Sequence, residues 1–168
     1  MTDGADQPLK ILLIEDNPAD ADLIRDVLDD LDATAEPGAP TFALAHADRL
    51  SRAQERLADG DIELVLLDLT LPDSHGFETF STVASRFPDL PIVVLSGLDD
   101  ETLAMRAVRD GAQDYLVKGR VDADLLGRTL RYSIERRRAA SERERLRQEQ
   151  TRIDTALRAR NELLASIS

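Results

Sequence analysis

Short apolar runs alternate with amphipathic stretches over the first two-thirds of the chain, and the pattern changes near residue 120. Leu9-Lys10-Ile11-Leu12-Leu13-Ile14 is almost continuously apolar, the pattern of a strand buried on both faces. After Pro18, the residues Leu23, Val27, Leu28 and Leu31 recur at helical spacing and predict a helix over 18–31. Residues 34–40 read as a loop and 41–45 as a weak strand. A helix over 48–58 follows, with Leu50, Ala53 and Leu57 on one face. Strands are predicted over 62–67, 91–95 and 114–117, and helices over 76–87 and 101–109. Pro91 suits the first position of its strand, where a missing donor is tolerated. Five strand-then-helix units imply an α/β fold with a parallel sheet covered on both faces. Right-handed crossovers make it a doubly wound three-layer sandwich.

In such a sandwich ligands gather at the carboxyl ends of the strands. The first strand ends at Glu15-Asp16, the third at Asp68, the fourth at Ser96-Gly97 and the fifth at Lys118-Gly119. Three carboxylates, a hydroxyl and an ammonium therefore converge on one edge of the sheet. Carboxylates about 5 Å apart repel by roughly 3 kcal/mol per pair at an effective dielectric near 20. The cluster therefore takes up protons or binds a cation. Hard oxygen donors suit Mg²⁺. Lys118 supplies a point charge for a phosphoryl oxygen, Ser96 supplies a hydroxyl, and Asp68 is left as the nucleophile that forms an acyl phosphate.

Composition narrows the classes. The chain of 168 residues has no cysteine, which excludes disulfides and thiol chemistry, and two histidines, His46 and His75, too few for a His-built metal centre. No apolar run approaches the roughly 20 residues that span a bilayer, and the acidic N-terminus is unlike a signal peptide, so a cytoplasmic protein is expected. The formal charge of −12 disfavours non-specific nucleic-acid binding. Two Lys stand against 19 Arg, which fits a salt-adapted host or GC-rich codons equally. Residues 1–120 carry −15 and residues 121–168 carry +3.

The runs Ile11-Leu12-Leu13-Ile14-Glu15-Asp16-Asn17, Leu66-Leu67-Asp68-Leu69-Thr70-Leu71-Pro72-Asp73-Ser74-His75-Gly76, Val94-Leu95-Ser96-Gly97 and Gly111-Ala112-Gln113-Asp114-Tyr115-Leu116-Val117-Lys118 resemble the receiver domain of two-component response regulators. The likeness covers residues 8–135, after a disordered N-terminus over 1–7. It implies a flavodoxin-like sheet of five parallel strands in the order 2-1-3-4-5. It also implies that Asp68 accepts a phosphoryl group from a phosphohistidine on a histidine kinase or phosphotransfer protein. Asp16, Asp68 and the backbone carbonyl of Thr70 would ligate Mg²⁺, with Glu15 acting through water. Ser96 would close on the phosphoryl group and Tyr115 would swing inward with it. The family usually has a proline after the lysine, with a cis bond. Here Gly119 implies a looser loop. Pro72 and Gly76 read as turn formers, Thr70 as a gate for hydrolytic water, and His46 and His75 as residues without special work.

From Asp122 the pattern becomes one long helix, extending about 70 Å at ~1.5 Å per residue. A heptad frame places Ala139, Leu146, Ile153, Arg160 and Ile167 at one set of core positions and Arg143, Gln150, Leu157 and Leu164 at the other. Arg131–Glu135, Arg138–Glu142 and Arg145–Glu149 are spaced for i,i+4 pairs. A helical coiled-coil extension over 136–168, making a parallel homodimer, is expected. Asn161-Glu162-Leu163-Leu164-Ala165-Ser166-Ile167-Ser168 resembles the lead-in to the phosphoaccepting histidine of sensor histidine kinases. That resemblance implies a receiver plus signalling helix, cut from a hybrid kinase or ending as a vestige, with a histidine kinase output. An aspartate-nucleophile phosphatase is disfavoured, because Asp68 sits on the third strand and Thr70 replaces the second aspartate of its motif. A phosphorylation-independent dimeric scaffold with an idle site is the alternative.

Overall fold

The computed structural model describes residues 7–167, so all but Gln7 of the expected disordered N-terminus lies outside the described residues. The elements run β1 (Leu9–Ile14), α1 (Pro18–Ala33), β2 (Phe42–Ala47), α2 (Leu50–Leu57) and β3 (Leu64–Asp68), followed by the two-residue strands β4 (Thr70–Leu71) and β5 (Ser74–His75). Then come α3 (Phe77–Arg86), β6 (Ile92–Ser96), α4 (Glu101–Arg109), β7 (Asp114–Val117), a 3₁₀ turn (Lys118–Arg120) and α5 (Ala123–Ile167). The main sheet is parallel, in the order β2-β1-β3-β6-β7. Leaving aside the small β4–β5 hairpin, this is the 2-1-3-4-5 order of a flavodoxin-like fold.

The chain divides into two compact units, one ending at Ile134 and the other beginning at Glu135. In the first, the period of two along β1 sends side chains to both faces of the sheet. Ile11 and Leu13 pack with Ile24 and Leu28 of α1 and with Leu126 and Leu130 of α5. Leu12 and Ile14 pack on the opposite face with Ala53 of α2, Val83 of α3 and Ala104 of α4. Every residue of β3 and β6 is buried. Burial of each such aliphatic side chain contributes roughly 1.5–3 kcal/mol, which locks the strand ends that carry the polar residues.

The structure departs from the sequence pattern at several boundaries. The β2 strand runs to Ala47, because His46 and Ala47 pair with Leu13 and Ile14 despite the polar histidine. The run at 62–67 enters the sheet only at Leu64 and continues through Asp68, which pairs with Leu95. The stretch after Asp68 folds as the β4–β5 hairpin, in which Thr70 pairs with His75. Gly76 closes it with φ +69, a conformation that L side chains rarely adopt. The link after Lys118 is a compact 3₁₀ turn rather than a loose loop, and the described residues contain no cis peptide bond.

The second unit is helical through Ile167. Its large apolar side chains, Leu146, Ile153, Leu157, Leu163, Leu164 and Ile167, are exposed. Arg145 forks onto Glu142, with Nη2 on Oε1 at 2.7 Å and Nε on Oε2 at 3.1 Å, instead of reaching forward to Glu149. No helix among the described residues is long and apolar enough to cross a membrane.

Candidate functional site

The carboxyl end of β1 carries the first part of the site. Glu15 N–H donates to Ala47 O at 3.0 Å, so Glu15 still follows the sheet. His46 Nε2–H donates to the Glu15 carbonyl at 2.7 Å, a tie absent from the sequence reading. Asn17 then caps α1 by accepting from Ala19 N–H at 2.9 Å, while its own N–H donates to Glu15 Oε1 at 3.1 Å. The Glu15 side chain is thus fully buried and fixed, whereas Asp16 is exposed.

Asp68 ends β3 and is 7 % exposed. Its Oδ1 accepts from Thr70 N–H at 3.0 Å and its Oδ2 accepts from Lys118 Nζ at 2.8 Å. One carboxylate oxygen each from Glu15, Asp16 and Asp68 lie within 4.8 Å of one another. Lys118 Nζ also lies 2.6 Å from Glu15 Oε2 and 3.1 Å from Asp20 Oδ2. Asp20, in the first turn of α1, is a member of the site that the sequence reading missed.

The charges respond to this crowding. Burial, opposed by Lys118 and aided by Asp68, pushes Glu15 up to about 7. Burial disfavours the Lys118 ammonium, but its contacts with the Asp68 and Glu15 carboxylates more than offset that and hold the group above the usual lysine range.

Ser96, at the end of β6, is 2 % exposed, and its Oγ has no hydrogen-bond partner. A buried hydroxyl left this way is destabilising unless a ligand supplies a partner. Tyr115 pairs with Val94 across β6 and β7, and its hydroxyl donates to Glu101 Oε1 at 3.2 Å on the α4 side. The structure therefore gathers Glu15, Asp16, Asp68 and Lys118, brings Thr70 in through its N–H, and turns the Tyr115 hydroxyl toward α4.

The hairpin after Asp68 is pinned at both ends. Asp73 Oδ1 accepts from Leu50 N–H at 2.8 Å and Oδ2 from Ser51 N–H at 2.9 Å. Ser74 Oγ and Thr79 Oγ1 lie 2.7 Å apart, and Thr79 Oγ1 donates to Leu69 O at 3.3 Å. Thr70 is held beside Asp68 by these ties and not by its exposed side chain.

A family model for the response regulator receiver domain matches residues 11–130. The chain is 31 % identical over 142 residues to the C4-dicarboxylate transport transcriptional regulatory protein DctD of Pseudomonas aeruginosa, covering 84 % of this chain and 29 % of that protein. It is 38 % identical over 82 residues to the regulatory protein LuxO of Vibrio cholerae, covering 49 % of this chain and 18 % of that protein. The chain thus spans less than a third of the length of either relative. Among solved structures, the receiver domain of NtrX from Brucella abortus is 28 % identical with a TM-score of 0.62, covering 74 % of this chain and 98 % of that one. The signal receiver domain of an HD domain-containing protein from Pseudomonas fluorescens shares the fold, with a TM-score of 0.68 at 23 % identity over 83 % of this chain and 96 % of that one. The doubly wound sheet and its acidic edge are those of a two-component signalling module, and the chain belongs to the response regulator receiver domain family.

Proposed function

We propose that Asp68 accepts a phosphoryl group from a phosphohistidine on a histidine kinase or phosphotransfer protein. One juxtaposition carries the reading: a buried carboxylate bonded to Lys118 at 2.8 Å stands beside two further acids that can hold a cation. A carboxylate oxygen of Asp68 forms the new P–O bond while the P–N bond of the donor breaks. The electron pair goes to the imidazole nitrogen, and Lys118 balances charge on the phosphoryl oxygens.

The donor set fits Mg²⁺, because its ligand atoms are all carboxylate oxygens within 4.8 Å of one another, and Ser96 Oγ, buried without a partner at the end of β6, is left to serve a ligand. Glu15 through water, Asp16, Asp68 and the Thr70 carbonyl would hold the ion, which supplies charge neutralisation to the phosphoryl group when bound. Ser96 then donates to a phosphoryl oxygen, and Tyr115 leaves Glu101 to fill the space behind it. The change biases the α4 side of the domain. Thr70, exposed next to Asp68, controls the approach of hydrolytic water.

The output is a parallel homodimer through the second unit. Leu146, Ile153 and Ile167 of one heptad set and Leu157 and Leu164 of the other are exposed and spaced for a seam. The relay passes through this coil to a histidine kinase output. Labelling with acetyl phosphate and Mg²⁺, repeated on Asp68→Asn, tests the acceptor: label on the parent only supports it, and equal label on the variant overturns it. Sedimentation of both forms tests the dimer, which a monomer at micromolar concentration would refute.

A further inference from the structure

Lys118 Nζ donates to Asp68 Oδ2 at 2.8 Å and to Asp20 Oδ2 at 3.1 Å, and a third carboxylate oxygen, Glu15 Oε2, lies 2.6 Å away as an ion-pair contact outside hydrogen-bond geometry. A phosphoryl oxygen that is to contact this ammonium enters a shell already crowded by three carboxylates, and their charge competes with it for Lys118. The three differ in how readily they give way. The Glu15 side chain is 0 % exposed and that of Asp68 10 % exposed, so neither has water to turn to. The Asp20 side chain is 34 % exposed and makes the longest of the three contacts. It sits in the first turn of α1 and, being partly exposed, can rehydrate when released.

We propose that Asp20 is a positioning residue that holds Lys118 in the resting domain and competes with the phosphoryl group for it, thereby restraining phosphoryl acceptance at Asp68. The inference rests on the acceptor role proposed above. Asp20 acts in two ways. It shares the ammonium until the phosphoryl oxygen arrives, and its negative charge opposes the approach of an anionic donor. Asp20→Asn keeps the size and an acceptor oxygen but removes the charge, while Asp20→Glu keeps the charge. In the reaction with acetyl phosphate, an Asp68 oxygen bonds to phosphorus as the P–O bond to acetate breaks, and acetate leaves with the electron pair.

The chain has only two lysines, Lys10 and Lys118, so lysine-¹⁵N-labelled protein gives one informative ammonium resonance and one reference. Lys10 is the reference, because it pairs with Asp61 at 3.1 Å. In Asp20→Asn the Lys118 Nζ resonance moves while that of Lys10 stays. Acyl phosphate then forms from acetyl phosphate and Mg²⁺ on the order of two- to fivefold faster, the scale of a partly exposed ion pair. Asp20→Glu returns both readouts toward the parent. A merely structural role would lower stability without moving the Lys118 resonance. A parent that takes no phosphoryl group overturns the acceptor reading and this inference with it. A parent that does, beside an Asp20→Asn protein with an unmoved Lys118 resonance or an equal or slower rate, overturns this inference alone.

Discussion

Lys118 Nζ donates to Asp68 Oδ2 at 2.8 Å across 50 positions of sequence, and this contact joins the turn after the last strand of the sheet to the end of the middle strand. Lys118 is the one cation facing Glu15, Asp20 and Asp68 in the contacts described above. Lys118→Ala leaves these carboxylates facing one another. Breaking a buried pair costs about 3–5 kcal/mol, and the partial exposure of Lys118 together with proton uptake by Glu15 reduces this to about 2 kcal/mol. Urea unfolding in chelator checks the loss, and millimolar Mg²⁺ recovers part of it. An unchanged midpoint in chelator would show that the contact contributes nothing to the fold.

Glu15 supplies a pH dependence with a defined sign. Its carboxyl is raised from 4.5 to about 7, chiefly by burial. Between those values the folded domain holds a proton that the unfolded chain has released. The contribution is therefore complete below 4.5 and declines as pH rises through about 7. In chelator the urea midpoint falls from pH 5 to pH 8, and Glu15→Gln flattens that part of the profile. A parent profile that rises over the same interval would contradict the assignment.

Asp73 caps a helix to which it does not belong. The N-terminal residue of α2 is preceded by Arg49, which makes no side-chain cap, so Leu50 and Ser51 N–H depend on Asp73. Asp73→Ala costs about 1–2 kcal/mol and loosens the hairpin that holds Thr70. Hydrogen exchange at Leu50 and Ser51 accelerates ahead of exchange in β1. Uniform exchange across the domain would mean that the cap is not local.

At Gly127 of α5 the side chain of Leu31 in α1 comes close, since a Cβ there would lie 2.5 Å from Leu31 Cδ1. Overpacking of this kind costs roughly 1–3 kcal/mol, offset in part by the better helix propensity of alanine. Gly127→Ala lowers the thermal midpoint. Pairing it with Leu31→Ala yields a smaller loss than the two single losses added. Strict additivity would show that the two residues do not share a contact.

The residues explain which of these features the sequence could reveal. Strands β1, β3 and β6 are readable because burial on both faces demands continuous apolar runs, and their polar ends fall at the ligand edge by topology. The β4–β5 hairpin is too short for any period to register. Asp20 is one of several acids along the polar face of α1, and nothing local separates it from Asp22 or Asp26. Its partner Lys118 is 98 positions away, so only folding identifies the pair. Likewise Asp73 resembles any turn aspartate until α2 is placed above it. The charge step near residue 120 is readable, but which of its acids pair on the surface, as Asp48 and Asp61 do, and which gather with Lys118 is decided only by the fold.

The acceptor role of Asp68 is tested most directly by trapping. The full chain is treated with acetyl phosphate and Mg²⁺, reduced with borohydride, which converts an aspartyl phosphate to homoserine, and digested for peptide mass mapping. The account predicts conversion at position 68 and nowhere else. Conversion at Asp16 or Glu15, or a mapped position 68 that remains unmodified while label is incorporated, would contradict it.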